Sequence, residues 1–169
     1  MGNVWERKTP EQLEIETIEA AKNMKSEEVA AQLKNFERWA NIYINEFTYG
    51  DKRIDALIID TDHKWLRGFE IKVSRSDFLN DEKWENYSSF CSSLSIVCPW
   101  GLIQREEISK PFGLLWVSRN GCLKWIRRPK NFQKREALAW RFLYYRVMET
   151  EFKRLYWLRN NVSSVGVDK

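Results

Sequence analysis

The sequence predicts an α/β domain in which helices are layered on a mixed sheet. Three observations carry this. Apolar residues follow helical spacing at both ends of the chain, while the middle consists of short apolar runs rich in β-branched residues. Gly50-Asp51 and Asn120-Gly121 each separate two such runs, as tight turns between antiparallel strands do. The order helix, helix, three strands, helix, strand, two strands, helix lacks the regular alternation of a doubly wound sheet. With 169 residues, 43% of them apolar and 31% charged, the chain suits one core-forming globular domain rather than a disordered one.

Thr9-Pro10-Glu11-Gln12 predicts a helix start, with Thr9 as N-cap, Pro10 in the first turn and Gln12 closing a capping box. Leu13, Ile15, Ile18, Ala21 and Met24 give this helix an apolar stripe. Ser26 is the expected cap of a second helix, with Val29, Leu33, Phe36 and Ala40 on one face and Glu28, Lys34 and Glu37 on the other. From Asn41 the period shortens, and Ile42, Ile44 and Phe47 predict a strand that turns into Arg53–Asp60. A polar turn, Thr61 to Lys64, leads to Gly68–Val73. Ser76 or Asp77 opens a helix expected to reach about Cys91. Leu94–Cys98 has the continuous apolar character of a buried strand, ended by Pro99 and Gly101. A short helical segment over 102–108, strands at Gly113–Ser118 and Cys122–Arg127, and a long helix from about Lys134 to Leu158 complete the reading. Residues 1–25 are expected as a helical extension, 26–160 as the main domain and 161–169 as a frayed tail.

Ionisable residues interrupt the two central strands. Asp55 lies among Ile54, Ala56 and Leu57, and Glu70 and Lys72 flank Ile71. Residues two apart share a strand face, so Glu70 and Lys72 project together, and Asp55 joins them if the strands pair. Burying such a cluster is costly unless it is paired or binds a cation. A two-residue hairpin loop places Glu46 opposite Asp55, nominating Glu46 as a metal ligand or water-positioning base. Glu37 and Glu28 are the other sources of an extra acid. Arg53, on the Asp55 face, either holds a phosphate or pairs with Asp55 or Glu46.

Carboxylates at these spacings suit Mg²⁺, which keeps several waters and accepts substrate phosphate. A lysine beside them can position water or stabilise a phosphorane. The net charge of +4 hides an asymmetry: from Arg119 to Asn160 there are twelve Lys or Arg against three Glu, which leaves the remainder at −5. Arg127, Arg128, Lys130, Lys134 and Arg135 form a basic stretch suited to a polyanion. Trp125, Trp140, Tyr144, Tyr145, Tyr156 and Trp157 are interleaved with it, and two roles stand open: base stacking, or a core stripe through Trp140, Tyr144 and Met148. No run approaches the roughly 18–20 apolar residues of a membrane span. No secretory leader is legible, and three cysteines without a CxxC pair predict free thiols in the cytoplasm.

Ile54-Asp55 followed by Glu70-Ile71-Lys72 resembles the PD-(D/E)xK nuclease signature. The run from Glu70 through Val73-Ser74-Arg75-Ser76-Asp77-Phe78, then Asp81-x-Lys83-Trp84-x-x-Tyr87, resembles more narrowly the MmcB-like DNA-repair family. That family shows E-I-K-S-S, then D-F, D-x-K-W and Y, and a strand ending in proline, here Pro99. Lys134-Arg135-Glu136-Ala137-Leu138-x-x-Arg141-Phe142 resembles its last helix, so the likeness spans about Glu46 to Arg146. It implies a restriction-endonuclease-like α/β/α fold. It further implies a Mg²⁺ or Mn²⁺ ion held by Asp55, Glu70 and the Ile71 backbone carbonyl, with Lys72 as catalytic lysine. Ile54 stands where the signature has proline, and Val73 where the narrower family has serine.

The expected activity is metal-dependent DNA hydrolysis. The alternatives are a catalytically silent DNA-binding accessory of a repair assembly and a host-defence or phage-borne nuclease. Single-stranded, branched and duplex DNA, repair proteins and a second copy of the chain are the expected partners. Lys83 and Tyr87, one helical turn apart, share a face and border the cleft if that face meets the sheet edge; otherwise Tyr87 is a core residue with a wet hydroxyl.

Overall fold

The computed structural model describes residues 8–36, 41–49, 51–60, 65–81, 87–88, 91–132 and 137–162. The chain forms two compact units, Met1–Gln133 and Lys134–Lys169. The first holds helices α1 (Pro10–Ala21), α2 (Ser26–Phe36) and α3 (Arg75–Asn80) and strands β1 (Asn41–Tyr49), β2 (Lys52–Asp60), β3 (Trp65–Ile71), β4 (Ser93–Pro99), β5 (Gly113–Val117) and β6 (Leu123–Arg127). The second holds α4 (Ala137–Val162).

The six strands form one mixed sheet in sequence order. β1–β2, β2–β3 and β5–β6 are antiparallel, whereas β3–β4 and β4–β5 are parallel. The expected layered α/β class is the observed one. β4, with a parallel neighbour on each side, is buried along its whole length, which explains why its sequence is a continuous apolar run. The two-residue hairpin is also as expected, Tyr49 pairing with Lys52.

Ala21, Met24, Val29 and Leu33 pack in one core with Ala56, Ile58, Phe69, Ile71, Val97, Leu115 and Val117. The C-terminal end of α1 reaches this core through Ala21. Its buried face is Thr17 and Ala21; Leu13, Ile15 and Ile18, placed on the apolar stripe by spacing, are exposed. The Thr9 capping box is formed as expected.

Three helix boundaries differ from the reading. Lys25, not Ser26, precedes α2 as its cap: its carbonyl accepts from the Glu28 and Val29 N–H groups, and its N–H donates to the Glu28 carboxylate at 2.8 Å. Ser74 caps α3 by accepting the Asp77 N–H at 3.1 Å, so that helix opens before Ser76. It also stops at Asn80 instead of running on to Cys91. Asp81 is extended (φ −98°, ψ 96°), and its side chain is turned onto Lys72. Asn and Asp compete with helical hydrogen bonding, which makes Asn80-Asp81 a weak place to continue a helix. Over 102–108 a short 3₁₀ turn, Arg105–Glu107, replaces the helical segment.

Candidate active site at the end of the third strand

Asp55 and Glu70 meet where β2 and β3 leave the ladder. Extending the β2–β3 register by one pair beyond Ala56–Phe69 sets them opposite each other. Asp55 Oδ2 accepts the Ile71 N–H at 2.8 Å. Glu70 is buried, and its Oε2 has no hydrogen-bond partner. Burial, then the neighbouring Asp55 charge, pushes the Glu70 carboxyl up to about 8, although Lys72 and the Asp55 N–H act the other way. Burial raises Asp55 as well, against the Ile71 N–H and the charges of Lys72 and Arg53.

Strict alternation along β2 does not hold. Phe69 packs with Ala56 and Ile58 in the core under α1 and α2. Gly68, its neighbour in β3, faces the other way, and a Cβ there would lie 2.5 Å from Ile54 Cδ1. Ile54 and Ala56 are two residues apart yet lie on opposite faces, so the pleat breaks at Asp55. Across the hairpin the ladder pairs Asn45 with Ala56 and Phe47 with Ile54, and passes over Glu46, whose φ is +53°. The register that nominated Glu46 is correct, but Glu46 and Asp55 form no regular pair. Instead they line, with Glu27, Lys34, Tyr43 and Arg53, a cavity of about 530 Å³ between α2 and the β1–β2 hairpin. Arg53 therefore stands on the Asp55 side as expected. It forms no ion pair within 4 Å with Asp55 or Glu46, both of which are described.

Lys72 is buried just past β3, its N–H donating to Val97 O at 3.0 Å. Its Nζ lies 2.6 Å from Asp81 Oδ2 and 3.6 Å from Asp77 Oδ1. Burial disfavours the ammonium, but the Asp81 hydrogen bond and the Asp81, Asp77 and Glu70 charges outweigh it and raise the Lys72 pKa. Tyr87, in a 3₁₀ turn, lies in the same field: burial, then Glu70, Asp81 and Asp55, raise its phenol.

The other expectations divide. Glu28 is not a spare acid. Arg119 grips it through Nε at 2.5 Å and Nη2 at 2.9 Å, and with the Lys25 N–H this lowers its carboxyl to about 2. Arg127 is not free for DNA, because its guanidinium donates to the Phe112, Ile108 and Ser109 carbonyls inside the molecule. Arg128 and Lys130 are exposed, and Arg128 sits over the Trp125 ring at 5.8 Å. Trp125 itself is half-buried against the core, 6.3 Å from Phe69, so it is packed rather than offered to bases. Tyr144, Met148, Tyr156 and Trp157 on α4 are exposed, which removes Tyr144 and Met148 from the core-stripe reading. Lys83, Lys134, Arg135 and Glu37 lie outside the described residues, as do the turn at 61–64 and the side chains of Trp140 and Tyr145.

Spacing did not single out Tyr43, Glu27, Asp77 or Asp81. Tyr43 has a buried hydroxyl without a partner, raised to about 12 by burial and then by Asp55. Asp77 and Asp81 did carry a signal, two acids four residues apart directly after Glu-x-Lys.

Among the described residues, no group of three or more His, Cys, Asp or Glu side chains is placed to hold a metal ion. Two carboxylates with an orphaned buried oxygen nevertheless have the chemistry to suit a hard cation, which would take its remaining ligands from backbone carbonyl, water and substrate oxygens. Cys91 and Cys98 are buried and Cys122 is exposed, all three as free thiols. No helix among the described residues is long and apolar enough to cross a membrane. No family model and no curated protein matches the chain. A protein of unknown function from Silicibacter pomeroyi, SPO1766, has a similar fold, with a TM-score of 0.66 at 20% identity over 87% of this chain and 99% of that one.

Proposed function

We propose that the chain is a metal-dependent phosphodiesterase of the PD-(D/E)xK type acting on DNA, with Asp55 and Glu70 as the carboxylate ligands of a Mg²⁺ or Mn²⁺ ion. The observation that carries this is the Glu70 Oε2 atom, buried and unpartnered beside a second carboxylate. A carboxylate is held in such surroundings at considerable cost unless a cation completes them. The carbonyl of Ile71, the residue that follows Glu70 and whose N–H reaches Asp55, is the third protein ligand in this reading.

When bound, the ion would acidify a water and neutralise charge on the phosphodiester. The chain's own groups supply the rest. Lys72, kept charged by Asp81 and Asp77, acts as an electrostatic stabiliser of the developing phosphorane rather than as a base. Glu70, whose carboxyl burial and Asp55 push up, would hold such an ion as the ionised carboxylate. Arg53 and Lys34 line the adjoining cavity, where they can meet the flanking phosphates, and Arg128 and Lys130 offer exposed charge further along the sheet. Glu46, exposed on the cavity wall, remains the nominee for orienting water.

A second reading is favoured because, among the described residues, no third acid is grouped with Asp55 and Glu70 to hold a metal: a DNA-binding accessory of a repair assembly that keeps the fold without turnover. One experiment separates them. Purified protein with Mg²⁺ or Mn²⁺ is given duplex, single-stranded and branched DNA, alongside Lys72→Ala. Cleavage that Lys72→Ala abolishes while DNA binding persists supports the nuclease. Retained binding with no cleavage of any substrate by folded, metal-loaded protein supports the accessory.

A further inference from the structure

Lys72 faces two sets of acids. On one side are Asp55 and Glu70, and on the other Asp77 and Asp81. All four are described, and within 4 Å the ammonium pairs with Asp81 and Asp77 and with neither Asp55 nor Glu70. The backbone sets up this choice. The Lys72 N–H is tied to Val97 O at 3.0 Å just beyond β3. The Ser74 cap then starts α3, which carries Asp77 in its first turn. Four residues later the helix ends, and the extended backbone at Asp81 brings its carboxylate onto Nζ.

A buried ammonium seeks the nearest carboxylate, because an unpaired charge there is costly. Without Asp81, only the longer contact to Asp77 at 3.6 Å would hold the ammonium against the pull of the orphaned Glu70 oxygen and its neighbour Asp55. A lysine lodged on those oxygens would occupy with a fixed cation the place where a mobile one is to bind.

We infer that Asp81, seconded by Asp77, is a positioning residue that draws Lys72 off the Asp55–Glu70 pair and so keeps that pair open to a divalent cation. The inference rests on the metal reading above and adds to it a role outside the Asp-(Glu-x-Lys) triad. It treats the acid of the helix that follows the strand as part of the metal site, although it touches no metal.

The test is Mn²⁺ affinity, measured on the full chain by calorimetry or by the electron-spin signal of free Mn²⁺, with no reference to DNA cleavage. Asp81→Asn keeps the shape and removes the charge. The expected result is Mn²⁺ binding weaker by about 10- to 100-fold, the range seen when outer partners of a metal site are lost. Asp81→Glu is expected to retain most of the affinity. Asp81→Asn combined with Lys72→Met, in which no cation is left to fall back, is expected to return to at least the unmutated affinity. An Asp81→Asn protein that is folded and binds Mn²⁺ as tightly as the parent overturns the inference and leaves the metal reading standing. A double variant as weak as Asp81→Asn alone also overturns it, because the loss would then not act through Lys72. A parent protein that binds no Mn²⁺ at millimolar concentration removes the metal reading, and the inference with it.

Discussion

Replacing Glu70 by Gln should stabilise the metal-free protein, and by an amount that depends on pH. In the unfolded chain the carboxyl ionises near 4.5, and in the folded protein near 8. Between those values the folded state binds more protons than the unfolded one, so stability falls as pH rises through the interval. At pH 7 the difference is about 2.5 pH units of linkage, or about 3 kcal/mol that the ionisable group takes from the folded state. At pH 5 it is less than about 1 kcal/mol. Gln has the same shape and no charge to lose. Glu70→Gln should therefore melt higher than the parent at pH 7 in EDTA, by roughly 6–12 °C at the 2–4 °C per kcal/mol expected for a chain of this size. The gap should close towards pH 5. Saturating Mg²⁺ should narrow it at pH 7 as well, because the ion stabilises the parent and finds one ligand fewer in the variant. Thermal or urea melts at pH 5, 6, 7 and 8, with and without Mg²⁺, are the assay. A variant no more stable than the parent at pH 7, or a gap that stays constant from pH 5 to pH 8, would refute the claim that a buried carboxyl with one unpartnered oxygen sits at the end of β3.

Gly68→Ala should destabilise by about 1–3 kcal/mol, the usual cost of overpacking, because its Cβ would meet Ile54 Cδ1 at 2.5 Å, Cys91 Sγ at 2.7 Å and Leu94 Cδ1 at 3.0 Å; urea denaturation measures it. Arg119→Ala should lower the melting temperature without weakening DNA binding, since its guanidinium is spent on Glu28 and the Lys22 and Asn23 carbonyls. Arg128→Glu with Lys130→Glu should instead leave the melt unchanged and weaken DNA binding; a salt titration should find the slope of log K against log salt reduced by about 2. If Arg119→Ala weakens DNA binding as much as that pair does, the division of the basic segment into structural and exposed arginines is wrong.

The six strands were legible because each is an apolar run closed by a turn or breaker signal: Gly50 after β1, the polar stretch 61–64 after β2, Ser74 after β3, Pro99 after β4, Asn120-Gly121 after β5 and Pro129 after β6, and the hairpin register followed from the two-residue loop at 50–51. The central carboxylates and Lys72 stood out because ionisable residues inside such runs are costly. Long-range partners, however, leave no local mark. Nothing near Arg127 says that its guanidinium will meet carbonyls at 108, 109 and 112, or near Glu28 that Arg119 will close on it. Composition thus overstated the basic surface. The stripe on α1 was misread for a related reason: with Leu13, Ile15 and Ile18 spread around the helix, no narrow face was marked, and small Thr17 and Ala21 allow the closest approach. The helix after Glu-x-Lys is shorter than its spacing predicts because the weak local propensity at Asn80-Asp81 is joined by a long-range ion pair, Asp81 with Lys72, that spacing does not reveal.

The break of alternation at Asp55 bears on how two carboxylates from neighbouring strands would share the proposed metal centre. In a regular β2, Asp55 would share a face with Leu57 and be covered with it, while Ile54 would lie with Ala56 beneath α2. Glu46, with its left-handed backbone, and Asp55 absorb the irregularity together, and Ile54 moves over the gap that Gly68 leaves. Asp55 then faces the cavity beside Arg53 and Tyr43 and reaches the Ile71 N–H, while Glu70 stays on the opposite side of β3. The two acids approach the end of the strand from different faces, Asp55 from the cavity side and Glu70 from the buried side. Lys34 and Arg53 border the pair on the α2 side, and Lys72, held by Asp81, borders it on the α3 side. A phosphate entering along the cavity would thus meet positive charge on both sides of the carboxylate pair, the distribution that an anion needs to approach two acids at all.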